Sequence, residues 1–82
     1  MMRPLLRVER DPEAEAVYLW YSNTKVARQD SLDDHHMFNV DRDAAGEIVG
    51  IELLSPRNTE IELLTKFAKE NHLSMEGLLA SI

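Results

Sequence analysis

Segment 41–52 is rich in carboxylates and partly matches the calcium-binding loop of an EF-hand. Counted from Asp41, it has acids at positions 1, 3 and 12 and Gly46 at position 6. Position 5 should offer an oxygen ligand but is Ala45, and the residues on both sides favour strands rather than helices. A β-hairpin explains the same residues without calcium, and we favour it because short motifs often match by chance.

The run Asp-Asp-His-His at 33–36 offers a second set of metal-binding side chains. Imidazole suits zinc, nickel or copper, but in a strand His35 and His36 point to opposite faces and cannot readily share one ion. A solvated loop is therefore the favoured interpretation. We predict no metal and no cofactor. The weak candidates for a metal site are Asp41, Asp43, Glu52 and His36.

Glu52 is a carboxylate expected inside a strand, and Asp41 is its expected neighbour across a hairpin. A buried Glu52 could act as a general acid or base. No nucleophile accompanies the pair, and structural ion pairs imitate functional ones. We therefore favour an exposed sheet face or an ion pair with Arg28 or Arg42, and we predict no catalytic residues.

The aromatic residues Tyr18, Trp20 and Tyr21 could stack on nucleobases. However, residues 11–24 contain no Lys or Arg, so a place in the core or in an interface is favoured. The formal net charge is −6, which disfavours nucleic acid as a ligand of this chain alone and suits a small basic protein partner.

The composition indicates one folded domain over residues 1–82, because 44% of the residues are hydrophobic and the length suffices for a single core. Without cysteine there are no disulfides, which favours a reducing compartment. Arg7 and Glu9 interrupt the N-terminal apolar run, so we expect neither a signal peptide nor a membrane span. We therefore expect a cytoplasmic protein.

Apolar alternation in the first two-thirds of the chain predicts about five strands, near residues 6–9, 16–21, 25–32, 36–41 and 47–54. Short connections between them predict an antiparallel, meander-like sheet. Four residues are expected to shape the backbone at turns or bulges, namely Asp11, Pro12, Gly46 and Gly50.

Residues 55–82 predict a pair of helices packed on one face of that sheet. A capping box at 59–62 begins the first helix, and Ser74 caps the second. The apolar spacing resembles the helical half of a ribbon-helix-helix antitoxin, but segment 51–55 is acidic and apolar where such a protein needs a basic ribbon. A helix pair that covers the sheet or forms a dimer seam is favoured. The predicted class is α+β, with a sheet core at 1–54.

Two segments, 11–19 and 40–54, carry a family resemblance. The first reads Asp-Pro-Glu-Ala-Glu-Ala-Val-Tyr-Leu, and the second begins Val-Asp-Arg-Asp-Ala-Ala-Gly-Glu. In this order they resemble the YuzE-like family of small bacterial domains of unknown function, over about residues 6–54. The resemblance implies a β-rich fold, no catalytic residues and an association with small toxin-like partners.

Three classes of function follow from these patterns. The favoured one is a non-catalytic interaction or regulatory module, of which an antitoxin-like protein is one form. It acts as a homodimer or small homo-oligomer and binds a small basic protein. The others are a structural homo-oligomer and an enzyme or metal protein that uses the acidic and histidine residues. The predicted interface residues are Tyr18, Trp20, Phe67, Leu78, Leu79 and Ile82.

Overall fold

The computed structural model describes residues 2–76 and 78, in which a five-stranded antiparallel sheet precedes an α-helix. The α+β class is therefore confirmed. The elements are β1 (Arg7–Asp11), β2 (Ala16–Trp20), β3 (Arg28–Ser31), β4 (Phe38–Arg42), β5 (Ile48–Leu54) and α1 (Asn58–Glu70).

The strand order is β1-β2-β5-β4-β3, so the meander-like prediction is wrong. β5 pairs with both β2 and β4, which leaves β3 at an edge. The physical reason is composition. The sequence of β5 is IVGIELL and five of its seven residues are buried, so it takes the centre. The sequence of β3 is RQDS and three of its four residues are exposed, which suits an edge.

The prediction of two C-terminal helices is also wrong, because the described residues contain one α-helix, α1. After α1 the backbone reaches a positive φ of 56° at His72. Leu73 is then buried and forms a parallel bridge with Arg3, whose N–H donates to the His72 carbonyl. The Ser74 N–H also donates to the Arg3 carbonyl, and the Ser74 hydroxyl then accepts a hydrogen bond from the Glu76 N–H at 3.1 Å, so the chain turns after this bridge. Most of that predicted helix, including Leu79 and Ile82, lies outside the described residues.

The predicted capping box does not form at the start of α1. The N-cap residue is Arg57, in an extended conformation and without a side-chain cap hydrogen bond, and Thr59 lies inside the helix. The helix thus begins two residues earlier than the box requires. Glu60 consequently lies in the first turn, near the positive end of the helix dipole.

The sheet has two different faces because side chains alternate along each strand. The inner face packs against α1 in a common core. Its fully buried members include Leu19, Phe38, Val40, Ile51 and Leu53 from the sheet and Leu64 and Ala68 from the helix. The opposite face, here called the outer face, carries the alternate residues of each strand, including Tyr18, Trp20, Asn39, Asp41, Gly50 and Glu52.

Turns form where the sequence indicates them. In the turn between β1 and β2, the Asp11 side chain accepts a hydrogen bond from the Ala14 N–H at 3.3 Å, and the Pro12 carbonyl accepts one from the Glu15 N–H. Gly46 has a positive φ of 84° in the turn between β4 and β5. Within the described part of the chain, no helix is long and apolar enough to span a membrane.

Candidate functional site

Tyr18 is the centre of the outer face. Its ring crosses the neighbouring strand β5 directly above Gly50, where a Cβ atom would collide with the ring. The Tyr18 hydroxyl then donates a hydrogen bond of 2.6 Å to the Oδ2 atom of Asp41 on β4. One side chain therefore links three strands, and it requires a glycine in the middle one.

Asp41 is 9% exposed and receives hydrogen bonds on both carboxylate oxygens. Tyr18 holds Oδ2, and the Gln29 Nε2 atom donates to Oδ1 at 2.9 Å. Among the described residues, Asp41 forms no salt bridge, so only neutral donors compensate its desolvation. Its negative charge thus remains uncancelled at the outer face.

The environment of Tyr18 favours its neutral, hydrogen-donating form. Burial raises the pKa of its hydroxyl above the ordinary value, because an ionised phenolate would be poorly solvated. The hydrogen bond to Asp41 and the negative charges of Asp41, Glu52 and Glu9 raise this pKa further. Tyr18 is therefore a fixed donor rather than a proton-transfer group near neutral pH.

A second hydrogen-bonded chain runs beside the first. Asn39 donates to Oε1 of Glu52 at 3.1 Å and accepts from the Ser31 hydroxyl at 2.6 Å. The Ser31 Oγ atom also lies 2.6 Å from Nδ1 of His36. The single hydroxyl proton of Ser31 goes to Asn39, so His36 donates from Nδ1. The buried amide of Asn39 thereby orients Glu52 on the outer face.

Trp20 extends this surface toward the edge strand β1. Its ring lies 4.4 Å from the Tyr18 ring, and the Arg7 guanidinium lies 4.9 Å above the Trp20 ring centre. Arg7 also pairs with Glu9 at 2.8 Å. The outer face therefore already binds one guanidinium group through an aromatic ring and a carboxylate.

The charges of the sheet are divided between its two faces. Alternation puts four acidic residues on the outer face but only one basic residue, Arg7; the acids are Glu9, Asp11, Asp41 and Glu52. Arg28 and Arg42 lie on the inner face, where both contact Asp30. The predicted ion pair of Glu52 with Arg28 or Arg42 is therefore wrong, because the arginines point to the opposite side of the sheet.

The weak metal candidates serve other roles in the structure. Segment 41–52 folds as the β4–β5 hairpin, and Asp43 accepts hydrogen bonds from the N–H groups of Glu47 and Ala45 in its turn. These bonds lower the pKa of the Asp43 carboxyl, the one from Glu47 most strongly. The described residues contain no group of three or more side chains that could hold a metal ion.

The structure separates the predicted interface residues. Tyr18 and Trp20 lie together on the outer face, whereas the Phe67 ring packs on Phe38 under the inner face, with 5.8 Å between the ring centres. Leu78 packs against the inner core. Leu79 and Ile82 lie outside the described residues. These residues therefore do not form one continuous surface in the part described.

Sequence reasoning missed Ser31, Gln29 and the role of Asn39. The signal was available for Asn39, because its alternation with Phe38 and Val40 places it on the face of Asp41. The other two residues could not be assigned, because their positions depend on the register between β3 and β4, in which Gln29 pairs with Asp41 and Ser31 with Asn39.

Comparison with known proteins identifies a family but assigns no activity. A family model described as a protein of unknown function, DUF2283, matches residues 7–55. The match covers more than half of the chain, so the protein belongs to the DUF2283 family. It includes all five strands and ends before α1. No curated protein and no solved structure matches the chain.

Proposed function

We propose that this DUF2283 domain is a non-catalytic interaction module whose outer face binds a small basic protein. The observation that carries this proposal is the separation of charge in the sheet. Carboxylates and the aromatic pair Tyr18 and Trp20 share the outer face, while Arg28 and Arg42 lie on the inner face.

The side chains of the outer face suit an arginine of a partner. Carboxylates accept charge-assisted hydrogen bonds from guanidinium groups, and aromatic rings attract their planar cations. Arg7 provides an intramolecular example, since it stacks on Trp20 and pairs with Glu9. Glu52 lies farther into the face, where Asn39 fixes its orientation. A second arginine beside Tyr18 would find the same two kinds of group.

An enzyme or metal protein that uses Asp41, Asp43, Glu52 or His36 is the alternative, and the contacts favour it less. Both oxygens of Asp41 accept hydrogen bonds from Tyr18 and Gln29. Asp43 is occupied by backbone N–H groups in its turn. These carboxylates therefore stabilise the fold, which leaves little capacity for a metal ion or a substrate proton.

Self-association remains a separate prediction. Two copies that met through their outer faces would bring the carboxylates of Glu9 and Glu52 toward their equivalents, and like charges repel. A homodimer or small homo-oligomer would therefore use another surface. The assignment to YuzE-like, antitoxin-like modules with small toxin-like partners belongs to this proposal, as does a cytoplasmic location.

Affinity capture from the native host, followed by mass spectrometry, tests the proposal. The wild type is compared with Glu9→Lys, which reverses an exposed outer-face charge, and with Glu62→Lys, which makes the same change on the exposed side of α1. We expect the wild type and Glu62→Lys to retain the same small basic protein in a stoichiometric amount. Recovery of the bait alone, or equal recovery with Glu9→Lys, would contradict the proposal.

A further inference from the structure

A groove of about 550 Å³ lies between the first turns of α1 and the connection from β3 to β4. It is on the helical side of the molecule and does not include the residues of the outer face. Its lining combines apolar, acidic and basic side chains, namely Leu32, Met37 and Leu63, the carboxylates Asp33, Asp34 and Glu60, and the basic residues His35 and Arg57, together with Thr59. A function of this groove is therefore independent of the proposed partner site.

Glu60 is the unusual residue of this groove. Its side chain is 6% exposed, and its Oε1 atom lies 3.6 Å from Nε of Arg57, a side chain that is 79% exposed. Its Oε2 atom is buried and has no hydrogen-bond partner among the described residues. A buried carboxylate oxygen without a donor is unfavourable, so this atom is a vacant acceptor for a positively charged or hydrogen-donating group.

Three carboxylates, Asp33, Asp34 and Glu60, outnumber the single arginine, Arg57, at this end of the groove, so the end has a net negative charge. Asp33 accepts hydrogen bonds from the N–H groups of Met37 and Phe38, at 2.9 and 3.1 Å, and so closes the loop before β4. Asp34 is exposed beside it. The described side chains here do not include three that could hold one metal ion, so an ammonium or guanidinium group fits better than a metal.

The groove continues into an apolar region. A second depression of about 220 Å³ shares Leu32 and Leu63 with the first and extends to Phe38 and Phe67. Its other lining residues are Lys66 and Glu70, which form an ion pair with each other at 4.0 Å. Leu32 and Leu63 are 47% and 40% exposed, which is high for leucine side chains that lie next to each other along a groove. The two depressions form one trough, here called the Glu60 trough, with an acidic end and an apolar end.

We propose that the Glu60 trough binds a segment of a partner protein that inserts a lysine or arginine side chain against Glu60. The same segment lays an apolar side chain on Leu32 and Leu63. Charge complementarity selects this occupant over an acidic or wholly apolar one, because a neutral segment would leave Oε2 of Glu60 buried and unpaired. A basic amphipathic segment thus satisfies both ends of the trough.

A titration followed by NMR tests this assignment on the whole chain. The probe is a blocked tripeptide amide of leucine, lysine and leucine, and its neutral counterpart has glutamine in place of lysine. We expect the lysine peptide to shift the amide signals of residues 32–37 and of the first turn of α1. The glutamine peptide should bind about tenfold more weakly, as expected for the loss of one charge-assisted hydrogen bond.

Two substitutions with the same charge change complete the test. Glu60→Gln should weaken binding of the lysine peptide about tenfold, whereas Glu62→Gln, on an exposed position of α1, should retain the wild-type affinity. Equal affinity for the two peptides, shifts confined to the outer face, or an equal loss in Glu62→Gln would each overturn the proposal. If Glu60→Gln does not fold, the comparison of peptides on the wild type decides alone.

Discussion

Tyr18 on β2 donates a hydrogen bond of 2.6 Å to Asp41 on β4, across the intervening strand β5. The contact exists because Gly50 of β5 has no side chain beneath the ring. Because Gly50 leaves room for the Tyr18 ring, the Tyr18 hydroxyl can reach the buried Asp41 carboxylate and donate a hydrogen bond to it. This arrangement fixes the outer face, on which the proposed function depends.

Gly50→Ala should therefore destabilise the protein through Tyr18. The added methyl group would collide with the ring, which must swing away and release the buried Asp41 carboxylate. We expect a loss of about 1–3 kcal/mol, the usual effect of an unsatisfied buried acceptor, measured by urea unfolding. The loss should be much smaller in a Tyr18→Ala background, where no ring is present. An equal loss of stability in both backgrounds would show that Gly50→Ala does not act through the Tyr18 ring.

Tyr18→Phe removes the hydroxyl but keeps the ring. It should lower the free energy of unfolding by about 1.5–3 kcal/mol, because the acceptor is charged and buried. Tyr21→Phe offers a control, since that hydroxyl donates to the neutral carbonyl of Ser74. We expect a loss of about 0.5–1.5 kcal/mol there. A larger loss of stability in Tyr21→Phe than in Tyr18→Phe would contradict the claim that the charged acceptor Asp41 makes the Tyr18 hydrogen bond the stronger of the two.

The raised pKa of Tyr18 also predicts a dependence on alkaline pH. The folded state holds the phenolic proton more tightly than the unfolded state, so this stabilisation is complete below the ordinary pKa of 10.0 and is lost as pH rises from there toward the folded pKa. The stability difference between wild type and Tyr18→Phe should therefore shrink above pH 10.0. Urea unfolding of both proteins measures it, and a constant difference would show that the pKa is not raised.

Asp43 predicts the opposite dependence, at acid pH. Its pKa is lowered below the ordinary value of 3.8, so its contribution is present above that value and is lost as pH falls through the folded pKa. Asp43→Ala should lower the melting temperature at neutral pH and have a smaller effect at an acid pH below 3.8. Asp34→Ala, in an exposed loop, is the control. An effect of Asp43→Ala that is equal at both pH values would contradict this role.

Self-association is tested by light scattering at micromolar concentration. The sequence predicts a homodimer or small homo-oligomer, and repulsion between the outer-face carboxylates favours an interface elsewhere. We therefore expect a dimer whose stability is unchanged in Glu9→Lys. A monomer would contradict the homodimer prediction, and a dimer that changes with Glu9→Lys would place self-association on the outer face.

Local patterns predicted the strands well, because alternation of apolar residues is a property of each strand alone. The positions of β2, β4 and β5 follow from their apolar residues. The order of the strands did not follow, since the pairing of β2 with β5 joins segments about thirty residues apart. The bridge between Leu73 and Arg3 did not follow for the same reason, because the two residues lie far apart in the sequence.

The candidate site was predictable in part. The sequence points to Asp41 and Glu52 and predicts a bulge or a close approach at Gly50, but it predicts only that Tyr18 lies in the core or in an interface. The contacts of Gln29 and Ser31 depend on register and could not be seen in the sequence. Alternation along β4 is enough to place Arg42 on the opposite face from Asp41, but the place of Arg28 depends on the register between β3 and β4.

The central claim is that the outer face binds a basic partner through its carboxylates. The most direct test is a calorimetric titration of the captured partner into wild type, Glu9→Lys and Glu62→Lys. The account predicts that Glu9→Lys raises the Kd about tenfold or more while Glu62→Lys does not change it. Equal Kd values for all three proteins would contradict the account, because binding would then be independent of the charge on the outer face.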